Sequence, residues 1–335
     1  MTDAGATIRR VAVTGPGGFI GGEICRVALA SGAQVLALGP MTDPPIAHPR
    51  LVHMPDRIVA VDALASAVTG CDLLIHDAGQ GTPGNVQNLD GETAQAELRT
   101  AAIVLEAAAR ARVGRVVVVS SGGTIYGAPM AQGVLTEADH TAPQSRYGVI
   151  KLQIEEMARG MDRMGHAACV VARLSNPYGP GQVNRRGQGL VATVAARAQA
   201  GLPIEIWGDG TTVRDYLFIA DAARGLLAAG GLAGGTVVNV SSGHGLSTRQ
   251  VVDDVLAAMG RTVPVILLRE RDAGVAENVL CNARLRALSG WHPVTDWPGG
   301  LAQTARWWAA LTPLPPGSEA GLQYKAGTLP SLLPE

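Results

Sequence analysis

Three short segments of the chain carry side chains that suit the transfer of a hydride and a proton at an alcohol carbon. Glycines recur within residues 15–21, between an apolar run and a helical stretch. Hydroxyl side chains cluster within residues 120–124, and Tyr147 and Lys151 stand four positions apart further along. Each segment alone is common, but their order and spacing together predict a dinucleotide site followed by an acid–base site.

The glycine segment predicts where a dinucleotide would bind. Gly15, Gly18 and Gly21 form a G-x-x-G-x-x-G pattern directly after an apolar run. Glycines there allow a tight turn, a close approach of the backbone to a pyrophosphate and close packing of the next helix. The predicted helix begins with Phe19 and Ile20, so its amino terminus would face the phosphates. A plain strand–turn–helix corner is the alternative.

The sequence says less about the choice between NAD and NADP. The acid that commonly binds the adenine ribose at the end of the second strand is missing, since residues 37–40 read Ala-Leu-Gly-Pro. No arginine stands there to bind a 2′-phosphate either. NAD is therefore the predicted cofactor, with NADP left open, and the nearby Asp43 is a candidate to replace the missing acid.

The Tyr147–Lys151 pair has the spacing of neighbours on one helix face. An ammonium group beside a phenol favours the phenolate, and tyrosine needs such help because its ordinary pKa is about 10. A hydroxyl from Ser120, Ser121 or Thr124, just past a strand end, can hydrogen-bond a reacting oxygen and pass its proton to the tyrosine. We therefore predict that Tyr147 is a general acid/base. A chance Tyr-x-x-x-Lys and serines that cap a strand are the alternatives.

The bulk composition limits the classes of partner. The 335 residues are 47% apolar and carry a formal net charge of −1, which predicts a globular protein without a footprint for nucleic acid or anionic membrane. No apolar run is long enough to span a bilayer, and residues 1–10 lack the apolar core of a signal peptide. The cysteines show no metal-type spacing, so we expect small buried thiols, no metal site and a reducing, cytoplasmic location. These cysteines are Cys25, Cys71, Cys169 and Cys281.

The first half of the chain alternates apolar strand candidates with alanine-rich helix candidates. The predicted strands are residues 10–13, 34–38, 73–76, 115–120 and 168–172. The predicted helices between them are residues 19–31, 61–69, 92–112 and 147–164. Apolar strands separated by helices are typical of a parallel sheet covered on both faces, so we predict a doubly wound α/β (Rossmann) fold.

After residue 176 the pattern becomes richer in loops. Helix candidates at residues 190–200, 219–229, 248–259 and 300–311, with a short strand at 237–240, predict a smaller C-terminal lobe. We place the dinucleotide-binding domain at residues 1–175, with 213–243 returning to it. The substrate-binding lobe is then residues 176–212 and 244–311, and the Pro/Gly-rich residues 312–335 are expected to form an extended or disordered tail.

Residues 8–311 resemble the extended short-chain dehydrogenases/reductases of the NAD-dependent epimerase/dehydratase family. The resemblance rests on the glycine segment, the Tyr147–Lys151 pair and four further motifs. These motifs are His-Asp-Ala-Gly at residues 76–79, residues 173–182, residues 208–216 and Gly-Trp-His-Pro at residues 290–293. The set is specific for the family and much less specific for the substrate.

The resemblance implies roles for the residues at matching positions. Tyr147 would be the general acid/base, and Lys151 would bind the nicotinamide ribose and tune the tyrosine. The positions implied at the cofactor, besides the glycine segment, are Asp56, Arg57, Ala78, Gly79, Gln80, Ser120 and Ser175. The positions implied at a nucleotide-sugar are Thr124, Asn176, Gln182, Arg214 and Arg271, of which Arg214 and Arg271 are the candidates for the diphosphate.

Some positions depart from the family pattern. The family's catalytic Ser or Thr falls on Gly122, so Ser121 or Thr124 must supply the hydroxyl, and Thr124 is the first choice. The asparagine usual in the helix before the fifth strand falls on Glu97. These changes leave a catalytically impaired binding protein as the non-enzyme alternative.

Two residues beside this site have simpler interpretations. His76 ends an apolar strand and is expected to be a hydrogen-bonded core residue rather than a ligand. Asp77 is unusual beside it and is expected to be solvated at the strand end.

The resemblance implies an enzyme acting on a nucleotide-sugar, and the leading hypothesis is C4 epimerisation of a UDP-hexose through a 4-keto intermediate. A 4,6-dehydratase ranks lower because its additional acid and base, Asp-Glu in the family, fall on Gly123 and Thr124. A keto-sugar reductase stays open because the second strand lacks its acid. The resemblance also implies a homodimer formed through helices 92–112 and 147–164.

Overall fold

The computed structural model describes residues 8–41, 46–56, 58–79, 91–128, 133–183, 189–270 and 274–311. In these ranges the chain forms thirteen strands and ten helices. The strands are β1 (Arg10–Thr14), β2 (Gln34–Leu38), β3 (Leu51–Met54), β4 (Leu73–His76), β5 (Arg115–Ser121), β6 (Cys169–Leu174), β7 (Asn176–Tyr178), β8 (Ile204–Trp207), β9 (Val213–Phe218), β10 (Val237–Val240), β11 (Gly245–Ser247), β12 (Val265–Leu268) and β13 (Glu277–Asn278). The helices are α1 (Phe19–Ala30), α2 (Val61–Val68), α3 (Gly91–Arg110), α4 (Gly122–Ile125), α5 (Arg146–Arg163), α6 (Leu190–Gln199), α7 (Ile219–Ala229), α8 (Thr248–Ala258), α9 (Ala283–Ser289) and α10 (Trp297–Ala310).

Seven of the described strands form one parallel sheet in the order β10-β6-β5-β4-β1-β2-β3. From β1 the chain builds the sheet outwards through β2 and β3, and then returns to the other side of β1 for β4, β5 and β6. This reversal opens a crevice at the carboxyl ends of β1 and β4, where doubly wound sheets bind dinucleotides. The predicted Rossmann fold is confirmed.

Helices cover both faces of this sheet. Val11 and Val13 of β1 pack on one face, in the apolar cluster that includes residues of α1 and α7. Ala12 points the other way, into the cluster that includes residues of α2, α3 and α5. Successive strand residues face opposite sides, so burial on both faces explains why the central strands are continuously apolar.

The other strands, together with helices α6, α8 and α10, form a smaller lobe beside the carboxyl edge of the large sheet. Strand β9 pairs with β7, β11 and β13, while β8 pairs with β12. Helices α6, α8 and α10 pack in one apolar cluster, in which the Tyr178 ring lies 4.7 Å from the Trp297 ring. The segment expected to return to the dinucleotide domain is therefore divided: α7 and β10 belong to the large sheet and its helices, and β9 belongs to the small one.

Several features differ from the predicted elements or lie beyond them. Edge strand β3 was not predicted, since three of its four side chains are exposed and it lacks an apolar pattern. The four cysteines are unpaired, and all but Cys281 are buried. In the described part of the chain, no helix is long and apolar enough to cross a membrane. The predicted tail, residues 312–335, lies outside the described residues, and the homodimer stays a prediction.

A buried ion pair connects the middle of the large sheet to α5. Glu155 is 0% exposed and accepts hydrogen bonds from Arg173 Nη2 at 2.8 Å and Nε at 3.1 Å. The Ser120 hydroxyl donates to the same carboxylate at 2.6 Å. On its other side Arg173 donates to the Tyr126 hydroxyl at 2.9 Å, which itself donates to Asn239 at 2.8 Å. The network ties α5, β5, β6 and β10 together.

We predict that Glu155→Ala destabilises the fold strongly, because it leaves the Arg173 guanidinium buried without its carboxylate. Loss of one partner of a buried pair costs about 3–5 kcal/mol of unfolding free energy. Glu156→Ala is the matched control: its exposed pair with Arg159 should be worth less than about 1 kcal/mol. Denaturant unfolding of both variants measures the difference, and equal stabilities would contradict the prediction.

Candidate active site

The turn between β1 and α1 has the shape of a phosphate cradle. Gly15 has φ +73°, a left-handed conformation that glycine adopts without strain. A Cβ on Gly21 would collide with the Gly15 carbonyl oxygen, so the start of α1 lies directly against the turn. The Gly18 N–H donates a hydrogen bond to the Gly15 carbonyl oxygen, with an N–O distance of 2.9 Å, and this bond closes the turn. The leading N–H groups of a helix have no intrahelical partner, so Phe19 and Ile20 are placed to bind a pyrophosphate.

The end of β4 packs onto this turn. The Thr14 hydroxyl accepts the backbone N–H groups of Asp77 and Ala78, each at 3.1 Å, and lies 3.0 Å from His76 Nδ1. Burial lowers the pKa of His76 to about 3, so its ring is neutral and serves as a core hydrogen-bonding group. This confirms the interpretation of His76 from the sequence. Ala78 is partly buried and Gly79 is exposed beside the crevice.

Tyr147 and Lys151 lie on the inner face of α5, and each is 8% exposed. Helix α5 begins where the Ser145 hydroxyl accepts the Gly148 N–H, which places Tyr147 in the first turn. The Lys151 ammonium lies 5.6 Å from the centre of the Tyr147 ring and 3.4 Å from the Val119 carbonyl oxygen. The phenol and the ammonium therefore meet at the carboxyl end of β5, as the spacing predicts.

Burial raises the pKa of Tyr147 above its ordinary value. Lys151 acts in the opposite direction, as expected from the sequence, and so does a hydrogen bond with the Ser121 side chain. Two carboxyl groups, Glu97 and Asp77, reinforce the effect of burial. Burial opposes the charge on Lys151, but Tyr147, Glu97 and Asp77 outweigh it and raise the pKa of the ammonium. One buried cation thus faces three acidic groups.

The two candidate hydroxyls differ in their relation to the phenol. The Ser121 side chain lowers the pKa of Tyr147, whereas Thr124 Oγ1 donates to the Ser121 carbonyl oxygen at 3.4 Å. Ser120 lies deeper and donates to Glu155. This difference makes Ser121 the hydroxyl that we propose to work with Tyr147, in place of the first choice Thr124.

The structure leaves no room at Gly122 for the hydroxyl side chain that the family has at this position. A Cβ at this position would collide with the Leu280 side chain, which covers it from the start of the segment after β13. Asn278 Nδ2 also donates to the Gly122 carbonyl oxygen at 3.2 Å. The space of the missing side chain is thus filled by a leucine more than 150 positions away in the sequence.

Polar residues of the smaller lobe face the same region. Asn176 on β7 pairs in register with Tyr216 on β9, and Arg214 lies two positions before Tyr216, so the three share one face of this sheet. Asn176 Nδ2 donates to the Asp215 carbonyl oxygen at 2.8 Å. Arg214 donates to the Val213 carbonyl oxygen at 2.8 Å, and burial lowers its pKa. Among the described residues Arg214 has no carboxylate partner, so an anion would find its charge available.

Three more of the predicted site residues are described by the structure, and four candidates are not. Ser175 is buried, and its hydroxyl has no hydrogen-bond partner among the described residues, which fits a polar cofactor group. Gln182 donates to the Pro177 carbonyl oxygen at 3.1 Å. Asp56 is exposed just beyond β3, at the carboxyl edge of the sheet. The predicted residues Arg57, Gln80 and Arg271, and the substitute acid Asp43, lie outside the described residues.

The interpretation of Asp77 as a solvated strand-end residue was wrong. The residue is partly buried, and this desolvation raises the pKa of its carboxyl to about 7. Glu97 is 4% exposed, with its carboxylate over Gly79, whose missing Cβ would lie 3.5 Å from both oxygens. Sequence reasoning noted both residues as unusual but gave neither a place beside Tyr147. The signal that could have identified them is the presence of an acidic residue where the family pattern has none.

Comparison with known proteins agrees with this geometry. A sequence model of the NAD dependent epimerase/dehydratase family matches residues 11–241, well over half of the chain. The UDP-glucose 4-epimerase of Mycolicibacterium smegmatis is 29% identical over 88% of this chain and 97% of the relative. The dTDP-glucose 4,6-dehydratase of Streptomyces niveus is 28% identical over 89% of this chain and 92% of the relative.

A solved structure shows the same architecture. The Thermus thermophilus UDP-glucose 4-epimerase in complex with NAD has a TM-score of 0.79 and 27% identity, covering 90% of this chain and all of that one (100%). The extended short-chain dehydrogenase/reductase character expected from the motifs is confirmed. The chain belongs to the NAD-dependent epimerase/dehydratase family of enzymes.

Proposed function

We propose that this enzyme uses NAD to epimerise a UDP-hexose at C4 through a 4-keto intermediate. The observation that carries the proposal is the convergence of Tyr147, Lys151 and Ser121 at the carboxyl end of β5. No carboxyl group follows Gly122 on α4, where the family's dehydratases would need an acid and a base. Relatives that are named UDP-glucose 4-epimerases support the same reaction.

In this proposal Tyr147 takes the proton of the C4 hydroxyl and later returns one to the carbonyl oxygen. Ser121 hydrogen-bonds the same oxygen and orients it towards the phenol. Lys151 stabilises the phenolate by charge. NAD, when bound, supplies reversible hydride acceptance at the sugar carbon. The glycine turn would hold its pyrophosphate, and Ser175 is the residue we assign to its nicotinamide.

The smaller lobe holds the nucleotide-sugar in this proposal. Arg214 binds the diphosphate, since a guanidinium matches two phosphate oxygens at once and this one has no carboxylate partner in the described structure. Asn176 and Gln182 line the sugar side. The anion would also offset the burial that lowers the pKa of Arg214.

One observation favours a second candidate, a keto-sugar reductase. Such an enzyme begins its reaction with the phenol of tyrosine rather than the phenolate. Burial, Glu97 and Asp77 all raise the pKa of Tyr147 and so favour the phenol. A family relative, from Streptomyces, is named as a dTDP-4-dehydro-6-deoxy-D-allose reductase and is 29% identical.

A panel of UDP-, dTDP- and GDP-hexoses incubated with the protein and NAD tests the proposal. Chromatography with mass detection should show a new UDP-hexose peak of unchanged mass. A product lighter by one water would instead show a dehydratase. A gain of two hydrogens by a keto-sugar supplied with NADH, without epimerisation of any hexose, would show the reductase. No turnover of any sugar would favour a binding protein.

We predict that Ser121→Ala lowers the turnover number by about 10²-fold, because the reacting oxygen loses a positioned donor. Thr124→Val is the matched control, since it removes a hydroxyl that points to a carbonyl instead of the phenol. Its turnover number should change by less than about tenfold. Steady-state kinetics on the sugar found in the panel measures both, and a larger loss in Thr124→Val would assign the hydroxyl role to Thr124.

A further inference from the structure

The end of β2 lies against the glycine turn but offers no side chain to a ribose. A Cβ on Gly39 would lie 3.9 Å from Pro16 Cδ, so the missing side chain would point at the turn. Gly39 has φ +108°, a conformation that other residues rarely adopt, so an acid at this position would strain the backbone. One residue later, the Pro40 carbonyl oxygen fills the space of a Cβ on Gly17. An acceptor for the adenine ribose therefore has to come from another element.

His53 on the neighbouring strand β3 lies beside this position. It pairs in register with Ala37, which packs in the apolar cluster on the α1 side of the sheet. Leu51, two residues before His53, packs against the same cluster, so the His53 side chain belongs to the α1 side as well. His53 Nε2 lies 2.9 Å from the Gly39 carbonyl oxygen. The imidazole is therefore held at the carboxyl edge of the sheet, next to the place of the missing acid.

The contact with Gly39 determines which ring nitrogen of His53 is available. A carbonyl oxygen only accepts hydrogen bonds, so Nε2 carries the proton in this contact. In the neutral imidazole the other nitrogen, Nδ1, is then an acceptor. Nδ1 has no hydrogen-bond partner among the described residues, and the His53 side chain is exposed. The ring thus presents a fixed acceptor to a hydroxyl group, as a carboxylate would, but without the charge.

We propose that His53 replaces the missing acid, with Nδ1 accepting a hydrogen bond from the 2′-hydroxyl of the adenine ribose of NAD. The inference rests on the NAD cofactor of the proposed function but on neither the sugar nor the reaction. Asp56, which the family resemblance assigns to the cofactor, follows β3 at the same edge, so this strand would bring two residues to the cofactor. The simpler interpretation, in which His53 only ties β3 to β2, predicts no dependence of affinity on the ribose hydroxyl.

The neutrality of the acceptor sets the size of the expected effect. Hydrogen bonds between neutral groups contribute less to binding than hydrogen bonds to a carboxylate. The 2′-hydroxyl should therefore change the dissociation constant of NAD by about three- to tenfold. Because the proposed bond joins only Nδ1 and this hydroxyl, the two contributions should not add, and removal of either group should make the other irrelevant.

Isothermal titration calorimetry of the full chain with NAD and with its 2′-deoxyadenosine analogue, at about pH 8, where free imidazole is neutral, tests this. The wild type should bind the analogue about three- to tenfold more weakly than NAD. His53→Ala should bind NAD about three- to tenfold more weakly than the wild type does, and should bind the two ligands equally well. His48→Ala is the matched control, a histidine before β3 whose ring accepts the Arg50 N–H at 3.1 Å, and should keep the wild-type difference.

The outcomes separate this inference from the proposed function. A wild type that binds both ligands equally well, or a His53→Ala protein that keeps the difference, would overturn the role of His53 alone. His53→Phe keeps a ring without its nitrogens and gives the same comparison if the alanine variant fails to fold. An absence of NAD binding would overturn both. A hydroxyl dependence that His53→Ala abolishes, in a protein that converts no hexose, would support His53 and count against the epimerase.

Discussion

The buried ion pair between Glu155 and Arg173 is the interaction on which the site depends. Glu155 lies four residues after Lys151, which lies four after Tyr147, so all three occupy one inward face of α5. Because Arg173 belongs to β6, the pair fixes the rotation of this helix against the sheet. Ser120 donates to the same carboxylate, and the next residue is Ser121, whose side chain lowers the pKa of Tyr147. One ion pair thus positions the segments that carry Tyr147, Lys151 and Ser121.

The burial of charged groups determines which acids stay protonated at the carboxyl edge of the large sheet. Lys151 is a single buried cation that interacts with the acidic groups of Tyr147, Glu97 and Asp77. In a site of low dielectric constant it cannot fully stabilise three anions, so a proton must stay on at least one of them. In the proposed function, a cofactor bound beside these groups would change the balance between the three acids and Lys151.

The sequence was sufficient for the features that depend on local pattern. Continuous apolar strands, glycine spacing and the four-residue interval of Tyr147 and Lys151 predicted the sheet, the turn and the juxtaposition of these two side chains. Edge strand β3 was not predicted, because its exposed side chains form no apolar pattern. The burial of Asp77 and the Leu280 side chain over Gly122 depend on contacts between distant segments. The choice between Ser121 and Thr124 depends on side-chain direction, which neighbouring positions in a sequence do not reveal.

The central claim is that Tyr147 exchanges the proton with the sugar oxygen. Its most direct test is the turnover number of Tyr147→Phe on the nucleotide-sugar that the wild type converts, with NAD binding measured in parallel. The account predicts a fall of at least about 10²-fold, the usual contribution of a positioned acid/base, while NAD still binds. A Tyr147→Phe enzyme with nearly unchanged turnover would contradict the account.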